Sequence, residues 1–505
     1  MNIIKQLTQV TQANPLAPVY KIADKGYSYE DLQRQSDALA YQLNQHETLT
    51  RQAPILVYGG MSFDMLASFI GAMKAGHPYI PVDSQTPIER LQQIITVAQP
   101  ALIIAAAPFP TEITRNCSLY TCDDLQRFTT NRFEALPVET AVTGDEIVYV
   151  IFTSGTTGAP KGVQISESNL ISFTNWMQTT FDLPQQQRFL AQAPYSFDLS
   201  VMHLYPALLT GGQLMPLTKA ATTNFKLLFE TLPTLEVSVW VSTPSFMDIC
   251  LMDAQFVQEQ YPQLTHFFFC GEELTVKTAQ KLQERFPTAR IFNTYGPTEA
   301  TVAVTQIEVT PTLLNEVNRL PIGYAKVDTP IVIVDEQLNE VADGEVGELL
   351  IGGPAVSRGY LNNSEKTTEA FIKYQGQHTY RTGDLGRREE GLFYYQGRRD
   401  FQLKYKGYRI ELEDIDHNIE QLALVEHASV VAKLNGTKVQ SLVAYVVVKT
   451  HPYEKVTQLT QQLKHELGLL VNDYMVPTRW VYVEELPLSL NGKVDRKALM
   501  NEVNQ

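Results

Sequence analysis

The chain has 505 residues, a formal net charge of −15 and only four cysteines. At roughly 100–200 residues per domain, this length indicates two to four domains. The acidic balance argues against a non-specific nucleic-acid binder, and the few thiols favour a reducing compartment over a disulfide-stapled secreted scaffold. Residues 1–15 lack the apolar core of a signal peptide, and no apolar run approaches the ~20 residues that cross a membrane. We therefore expect a cytoplasmic monomer that neither inserts into membranes nor binds nucleic acid.

The first four-fifths of the chain alternates between predicted strands and helices. A helical pattern over 61–75 carries Met65, Phe69 and Met73 on one apolar face. Such alternation is typical of an α/β fold with parallel sheets. Short apolar runs bounded by Gly, Pro or polar residues predict buried strands at 55–58, 101–105, 147–152, 237–241 and 266–269.

The pattern changes after about Gly347, where shorter strands are predicted at 348–351, 391–395 and 402–405 with turns between them. A smaller α+β unit is expected after Asp400. Its predicted elements are helices at 413–422 and 455–467 and strands at 429–434 and 441–448. We place the boundary between two domains there, with residues 1–399 in the first and 400–505 in the second.

A loop rich in glycine and hydroxyl groups follows the predicted strand at 147–152. Its glycines let the backbone turn tightly and approach a ligand closely, and its hydroxyls and backbone N–H groups offer many donors to a polyphosphate. It is not a Walker loop, because Gly162 rather than Ser or Thr follows the lysine. The candidate phosphate-binding residues are Thr153, Ser154, Thr156, Thr157 and Lys161.

This loop resembles the signature loop of the adenylate-forming superfamily, which includes acyl-CoA synthetases, luciferases and the adenylation domains of nonribosomal peptide synthetases. Further segments resemble motifs of the same family and occur in the family's order. These segments are 74–83, 193–200, 293–299, 347–360, 380–384, 397–400, 406–411 and 491–495.

The resemblance implies a large N-terminal domain of packed mixed and parallel sheets with helices and a β-subdomain. It also implies a small, mobile α+β C-terminal domain that turns about a hinge at Asp400. The activity it implies is attack of a carboxylate on the α-phosphorus of ATP, which yields an acyl-adenylate and pyrophosphate. Glu299 would hold Mg²⁺, and Lys493 would stabilise the reacting groups once the C-terminal domain has swung in. A second orientation would bring residues 407–409 to the site for thioester formation.

The resemblance also assigns residues around the nucleotide. Asp384, in a Thr-Gly-Asp turn, would accept the ribose hydroxyls, and Asn293 and Tyr295 would flank the adenine by hydrogen bonding and stacking. The remaining nucleotide-binding candidates are Thr294, Gly296, Pro297, Thr298, Tyr395, Gln396, Gly397 and Arg398.

Two residues narrow the choice of acid. Family members that activate α-amino acids have an aspartate at the position of Asp198, where a buried ammonium would need a counter-charge. Cys270 stands where many of these relatives have glycine, so a thiol there favours a small substrate and could discriminate its handedness. With Val302 lining a methyl pocket, the resemblance implies D-alanine as the substrate. The partner it implies is a separate carrier protein whose phosphopantetheine thiol receives the acyl group for lipoteichoic acid synthesis.

Alternatives remain open at this stage. The chain could be a freestanding ligase for another small L-amino acid or a short acid, or a nucleotide-binding relative without catalysis. The joint presence of Glu299, Asp384 and Lys493 argues against the non-catalytic alternative.

Overall fold

The elements up to Arg398 are two sets of strands, each covered by helices. The computed structural model describes residues 2–131, 133–155, 159–436, 438–488 and 494–505. In this first part the helices are α1 Ile3–Ala13, α2 Tyr29–Asn44, α3 Phe63–Lys74, α4 Ile88–Ala98, α5 Cys122–Thr130, α6 Glu167–Thr180, α7 Leu199–Leu209, α8 Lys219–Thr223, α9 Phe225–Thr231, α10 Pro244–Cys250, α11 Val276–Arg285, α12 Pro311–Glu316 and α13 Ser364–Ala370.

The strands of the same part are β1 Pro18–Ile22, β2 Lys25–Ser28, β3 Ile55–Gly59, β4 Tyr79–Asp83, β5 Leu102–Ala105, β6 Ser118–Tyr120, β7 Ile147–Thr153, β8 Lys161–Ser166, β9 Arg188–Ala191, β10 Gln213–Pro216, β11 Val239–Ser242, β12 His266–Phe269, β13 Arg290–Tyr295, β14 Thr305–Glu308, β15 Gly323–Ala325, β16 Ile331–Val334, β17 Gly347–Gly352, β18 Phe371–Tyr374, β19 Gln377–Glu389 and β20 Leu392–Arg398.

These strands form two sheets. The smaller has the order β6-β5-β3-β4-β7-β8 and is parallel except for β7 and β8. The larger has the order β16-β17-β19-β20-β15-β14-β13-β12-β11-β9-β10-β1-β2, with β18 paired to β19. Its centre from β10 to β13 is parallel, whereas β13 to β16 pair antiparallel. The predicted α/β class with mixed and parallel sheets is confirmed, and the predicted β-subdomain continues the large sheet.

Helix α7 is buried along its whole length. It packs on β9, β10, β11 and α6, so it lies within the core beside the large sheet. Its sequence is apolar on every side, as is expected of a helix without a solvent face. Because α7 is fixed in this way, the residue at its N-terminal end, Asp198, has a rigid support.

The residues after Asp400 form a separate set of elements with their own apolar cluster. We call residues 400–505 the C-terminal unit. It contains a two-stranded hairpin and a three-stranded sheet of order β23-β24-β25. Among the described residues, no helix is long and apolar enough to cross a membrane. The elements of the unit are β21 Gln402–Tyr405, β22 Tyr408–Glu411, α14 Leu412–Glu420, β23 Val425–Asn435, β24 Lys438–Val448, α15 Val456–Leu470, β25 Arg479–Tyr482 and α16 Arg496–Asn504.

The β21–β22 hairpin turns through two residues with positive φ, Lys406 at 53° and Gly407 at 85°. Two positive φ values in succession are what a tight two-residue hairpin turn requires. The turn also needs glycine for space, since a Cβ on Gly407 would lie 2.5 Å from Cγ2 of Thr243. The hairpin tip therefore presses closely against the N-terminal part of the molecule.

Candidate active site

A cavity lies where the carboxyl ends of β12 and β13 meet the β21–β22 hairpin. Ligand sites of α/β sheets are commonly found at this end of parallel strands. The cavity is lined by Phe197, Asp198, Leu199, Cys270, Gly271, Gly296, Pro297, Thr298, Val302, Thr382, Asp384, Arg398, Gln402, Lys404, Gly407 and Arg409. It thus brings together predicted substrate and nucleotide residues with side chains of the C-terminal unit.

Asp198 supplies a buried carboxylate to one wall of this cavity. Only 8% of the residue is exposed, and Thr298 Oγ1 donates a hydrogen bond of 2.7 Å to its Oδ2. Burial raises the pKa of Asp198, although the bond from Thr298 and the charge of Lys404 act in the opposite direction. A carboxylate held away from water in this way is a suitable counter-charge for a small cation such as an ammonium group.

Cys270 and Val302 form a second, apolar wall. The Cys270 thiol donates to the carbonyl oxygen of Val302 across 3.6 Å, and burial raises its pKa, so it remains a thiol. Val302 has a φ of 72° and Thr301 one of 57°. Positive φ is strained for a β-branched residue, and such strain persists only where the surroundings impose it. The contact with Cys270 and the 2.7 Å bond from Thr301 Oγ1 to the Ala355 carbonyl hold this loop in place.

Glu299 is completely buried next to the cavity, and both of its carboxylate oxygens have partners. The Tyr360 hydroxyl donates to Oε1 at 2.7 Å, and Arg409 Nη1 donates to Oε2 at 2.6 Å. Burial alone would raise the pKa of Glu299. Arg409 and Lys161 more than offset that effect and lower the pKa to about 2. The carboxylate is therefore fully ionised and neutralised by cations.

Asp384 is joined to both Tyr295 and Arg398. The Tyr295 hydroxyl donates to Oδ2 at 2.5 Å, and Arg398 Nη1 donates to Oδ1 at 2.6 Å. Arg398 also makes a bidentate pair with Asp400, with two contacts of 2.7 Å. The predicted ribose-binding carboxylate is thus connected through one guanidinium to the residue predicted as the hinge.

Two of the phosphate-loop residues, Ser154 and Lys161, contact the C-terminal unit. Ser154 Oγ donates to the Arg409 carbonyl at 2.9 Å and accepts from the Glu411 amide at 3.2 Å. Lys161 lies 3.4 Å from the Glu411 carboxylate, and burial lowers its pKa. Gly155 is required sterically, because a Cβ there would lie 2.1 Å from the carbonyl oxygen of Ala159. Thr156 and Thr157 lie outside the described residues, and Thr153 ends β7.

The hairpin makes three further contacts with the N-terminal part. The Gly407 amide donates to Glu272 Oε1 at 2.8 Å, and the Tyr408 ring lies 5.6 Å from that of Phe197. Lys404 Nζ lies 5.5 Å from the centroid of the Tyr295 ring. Residues 407–409 therefore lie against the cavity in this structure.

Comparison with known proteins identifies the family. Residues 7–361 match the AMP-binding enzyme family, and residues 414–493 match the AMP-binding enzyme C-terminal domain. The D-alanine–D-alanyl carrier protein ligase of Lacticaseibacillus casei (strain BL23) is 49% identical over 505 residues, which covers 100% of this chain and 99% of that protein. The protein of the same name from Lactiplantibacillus plantarum is 50% identical over 506 residues with the same coverage, and that from Listeria monocytogenes EGD-e is 46% identical over 507.

The chain belongs to the D-alanine–D-alanyl carrier protein ligase family. As a member of this family of AMP-binding enzymes, it is an ATP-dependent ligase. The resemblance to adenylate-forming enzymes found in the sequence is thereby confirmed.

Solved structures support the fold. The Vibrio cholerae adenylation domain AlmE, in complex with glycyl-adenosine-5'-phosphate, has a TM-score of 0.85 at 24% identity and covers 99% of this chain and 97% of its own. An NRPS protein with adenylation and PCP domains has a TM-score of 0.84 at 24% identity and covers 99% of this chain and 84% of its own. At 24% identity, these two structures support only the architecture of the chain.

Not every residue predicted to bind nucleotide lines the cavity of this ligase-family chain. The Asn293 amide donates to the Pro321 carbonyl at 2.8 Å, and Thr294 Oγ1 donates to the Phe269 carbonyl at 2.8 Å, so both support β13 and its neighbours. Tyr395 lies 6.4 Å from Tyr295 between ring centroids. Gln396 is exposed and Gly397 is half-buried. Lys493 lies outside the described residues.

Three residues of the site were not predicted from the sequence. Glu272 accepts from the hairpin amide of Gly407, Glu411 pairs with Lys161, and Tyr360 donates to Glu299. Each belongs to a segment that resembles a family motif or adjoins Cys270. Residues 407–409 were expected near the site, but the pairing of Arg409 with Glu299 was not predicted.

Proposed function

We propose that this enzyme uses ATP to convert D-alanine to D-alanyl-AMP and then transfers the D-alanyl group to the phosphopantetheine thiol of a carrier protein. The observation that carries the proposal is the cavity lined by Asp198 on one wall and by Cys270 and Val302 on another. The chain that contains this cavity is 49–50% identical over its full length to two D-alanine–D-alanyl carrier protein ligases. The buried carboxylate would bind the ammonium group, and the thiol and valine would restrict the side-chain pocket to a small group such as methyl. The product would supply D-alanine for lipoteichoic acid, and we place the reaction in the cytoplasm.

The first half-reaction needs cations around the triphosphate, because negative charge accumulates as the carboxylate approaches the α-phosphorus. We assign phosphate contacts to Thr153, Ser154, Thr156, Thr157 and Lys161. Lys493 is assigned to the reacting carboxylate and α-phosphate. Asp384 and Tyr295 are assigned to the ribose and the adenine.

Glu299 fits Mg²⁺ by its chemistry, since this ion prefers carboxylate oxygens together with phosphates. Bound Mg²⁺ would offset phosphate charge at this point. Both oxygens of Glu299 are engaged here, so Arg409 would have to withdraw before the ion is held.

The second half-reaction would use the arrangement seen in this structure. With the hairpin in the cavity, the contacts of Arg409 and Glu411 occupy Ser154, Lys161 and Glu299, which the nucleotide phosphates and the metal would otherwise use. Departure of pyrophosphate would free these groups for the hairpin. We accordingly propose that residues 1–399 and 400–505 are two domains that change their relative orientation about Asp400.

The test is ATP–pyrophosphate exchange with D-alanine, L-alanine, glycine and acetate, followed by loading of a phosphopantetheinylated D-alanyl carrier protein. D-alanine should give the highest kcat/KM, and the carrier should become acylated. A preference for L-alanine, glycine or acetate would instead support a ligase for another small acid, and absence of exchange with every acid would support a non-catalytic relative. In Lys493→Ala, exchange should fall by at least about a hundredfold, as expected when a positioned charge is removed from the reacting groups. The monomeric state stays a prediction, which light scattering can check.

A further inference from the structure

Two ion pairs outside the cavity join the C-terminal unit to the rest of the molecule. Lys438, at the start of β24, pairs with Asp248 of α10. Asp414 of α14 lies 3.7 Å from Nη2 of Arg90 of α4. None of these four residues lines the cavity. We call the two pairs the clasp.

We propose that the clasp consists of positioning residues for thiol transfer, which hold the C-terminal unit where the β21–β22 hairpin enters the cavity. This inference rests on the two half-reactions of the proposed function. The clasp residues lie outside the reaction site and would set the relative rates of adenylation and thiol transfer.

The two pairs attach the unit at two different places. Helix α4 packs on the smaller sheet, where its apolar residues Leu91 and Ile94 join Leu56 and Ile80 in one cluster. Helix α10 belongs to the cluster around Trp240 of the larger sheet. One remote ion pair would restrain the unit at a single place. Two pairs, on helices that pack against separate sheets, act with the hairpin contacts to favour one orientation.

The Asp248–Lys438 pair lies near the surface, with side-chain exposures of 43% and 26%. Asp248 is oriented in advance, because Thr278 Oγ1 donates to its Oδ1 at 2.7 Å. Exposed pairs of this kind stabilise only weakly, by a few-fold in an equilibrium constant. A stabilisation this weak suits a contact that must form and break in each catalytic cycle.

The Arg90–Asp414 pair is buried. Asp414 has no exposed side-chain surface, and its Oδ1 accepts from Asn418 Nδ2 at 3.0 Å. Arg90 has 10% of its side chain exposed and faces the other oxygen. Burial raises the pKa of Asp414 to about 6 even with Arg90 nearby. An ionised carboxylate is costly to bury without a cation opposite it, so this pair favours the orientation in which Arg90 faces Asp414.

The orientation of the unit is transmitted to the hairpin by stacked rings. Tyr408 in β22 stacks on Tyr474 with ring centroids 3.6 Å apart and planes 2° from parallel. Tyr474 packs against the apolar core of the C-terminal unit. The hairpin therefore moves with the unit, and a contact made at Lys438 or Asp414 fixes where Gly407 and Arg409 lie.

The experiment compares Lys438→Asp, Asp248→Lys and the double variant that exchanges the two charges. Each single variant should lower the ratio of carrier loading to ATP–pyrophosphate exchange by about three- to tenfold, because attraction is replaced by repulsion. Exchange itself should stay within about twofold. The double variant should recover most of the lost ratio. Lys449→Asp is the matched control: the residue directly follows β24 and is exposed, and its Nζ donates to the Ala423 carbonyl of the same unit at 3.3 Å.

A second variant tests the buried pair. Arg90→Gln leaves Asp414 buried opposite a neutral group, so carrier loading should fall by more than about tenfold while exchange is retained. Equal loss of both half-reactions would show that Arg90 acts on folding alone and would remove it from the clasp.

Hydrogen–deuterium exchange gives a readout that needs no activity. The hairpin amides, residues 402–411, should exchange faster in Lys438→Asp than in the wild type and in Lys449→Asp. An unchanged loading ratio, an equal fall in both half-reactions, failure of the charge exchange to restore loading, or unchanged hairpin protection would each overturn the inference. Absence of ATP–pyrophosphate exchange in the wild type would instead overturn the proposed function. The hydrogen–deuterium exchange of residues 402–411 would then be the test of whether the clasp holds the hairpin in place.

Discussion

The Cys270 thiol contacts Val302 in addition to lining the cavity. Its thiol donates to the carbonyl of Val302, whose φ of 72° is unfavourable for a β-branched residue. The sequence predicted that both residues line the substrate pocket, because each stands in or beside a family-like motif. It could not predict the contact between them, since the strained loop 301–302 is held by Ala355, which is distant in sequence.

Replacing Cys270 tests whether this wall selects handedness. In Cys270→Gly the thiol wall is lost and the Val302 loop can relax, so the ratio of kcat/KM for D-alanine to that for L-alanine should fall by about tenfold or more. Cys270→Ser keeps a donor of similar size and should retain most of the ratio. Exchange assays with both enantiomers measure it, and an unchanged ratio in the glycine variant would count against the wall.

Asp198 should make substrate capture depend on pH. Only the ionised carboxylate attracts the ammonium group, and burial raises its pKa above the ordinary 3.8. As pH falls, Asp198 is protonated earlier than an exposed aspartate would be, so kcat/KM for D-alanine should fall on the acid side with a midpoint above 3.8. Asp198→Asn should lower kcat/KM by roughly a hundredfold and abolish this acid limb, because a partner of a charged group is lost. If Asp198→Asn shows the same acid limb, that limb is caused by a group other than Asp198.

At the scale of elements, the apolar runs of the sequence predicted individual strands and helices but not which of them contact each other. The predicted strand at 266–269 is β12, and the predicted helix over 61–75 is α3, Phe63–Lys74, because each is a local pattern of buried residues. The contact of Arg409 with Glu299 spans 110 positions and depends on how the hairpin docks, which no local pattern encodes. Gly407 was recognisable as a motif residue, but the close approach of Thr243 that requires it was not.

The hairpin contact leads to a prediction for Arg409. Arg409→Met would leave the buried carboxylate of Glu299 without its closest cation in the docked arrangement, an effect of about 3–5 kcal/mol for buried pairs. Carrier loading should therefore fall by at least about a hundredfold, whereas single-turnover D-alanyl-AMP formation should be retained. Arg409→Lys keeps the charge and should lose less. If adenylation falls as far as loading, Arg409 is needed in both arrangements and the prediction is wrong.

At the scale of the whole molecule, the proposed nucleotide site and the junction of the two parts share one residue, Arg398. Arg398 pairs with Asp384 in the cavity and with Asp400 at the start of the C-terminal unit. Asp400 also accepts a hydrogen bond from the Gln402 amide at 3.1 Å, which links it to the first strand of the hairpin. A change in orientation about Asp400 would therefore alter groups of the proposed nucleotide site.

Restricting this junction should separate the two half-reactions. Proline at position 400 fixes φ near −65° and restricts the residue before it, so Asp400→Pro should remove the freedom that a hinge requires. One half-reaction should then be retained within a few-fold, and the other should fall by about a hundredfold or more, because a locked unit presents only one set of residues to the cavity. Asp400→Ala removes the same carboxylate and leaves the backbone free, so it should affect both half-reactions mildly and alike. Exchange and carrier loading measured on the same preparations decide the matter: if Asp400→Pro behaves like Asp400→Ala, the change of orientation takes place elsewhere in the chain.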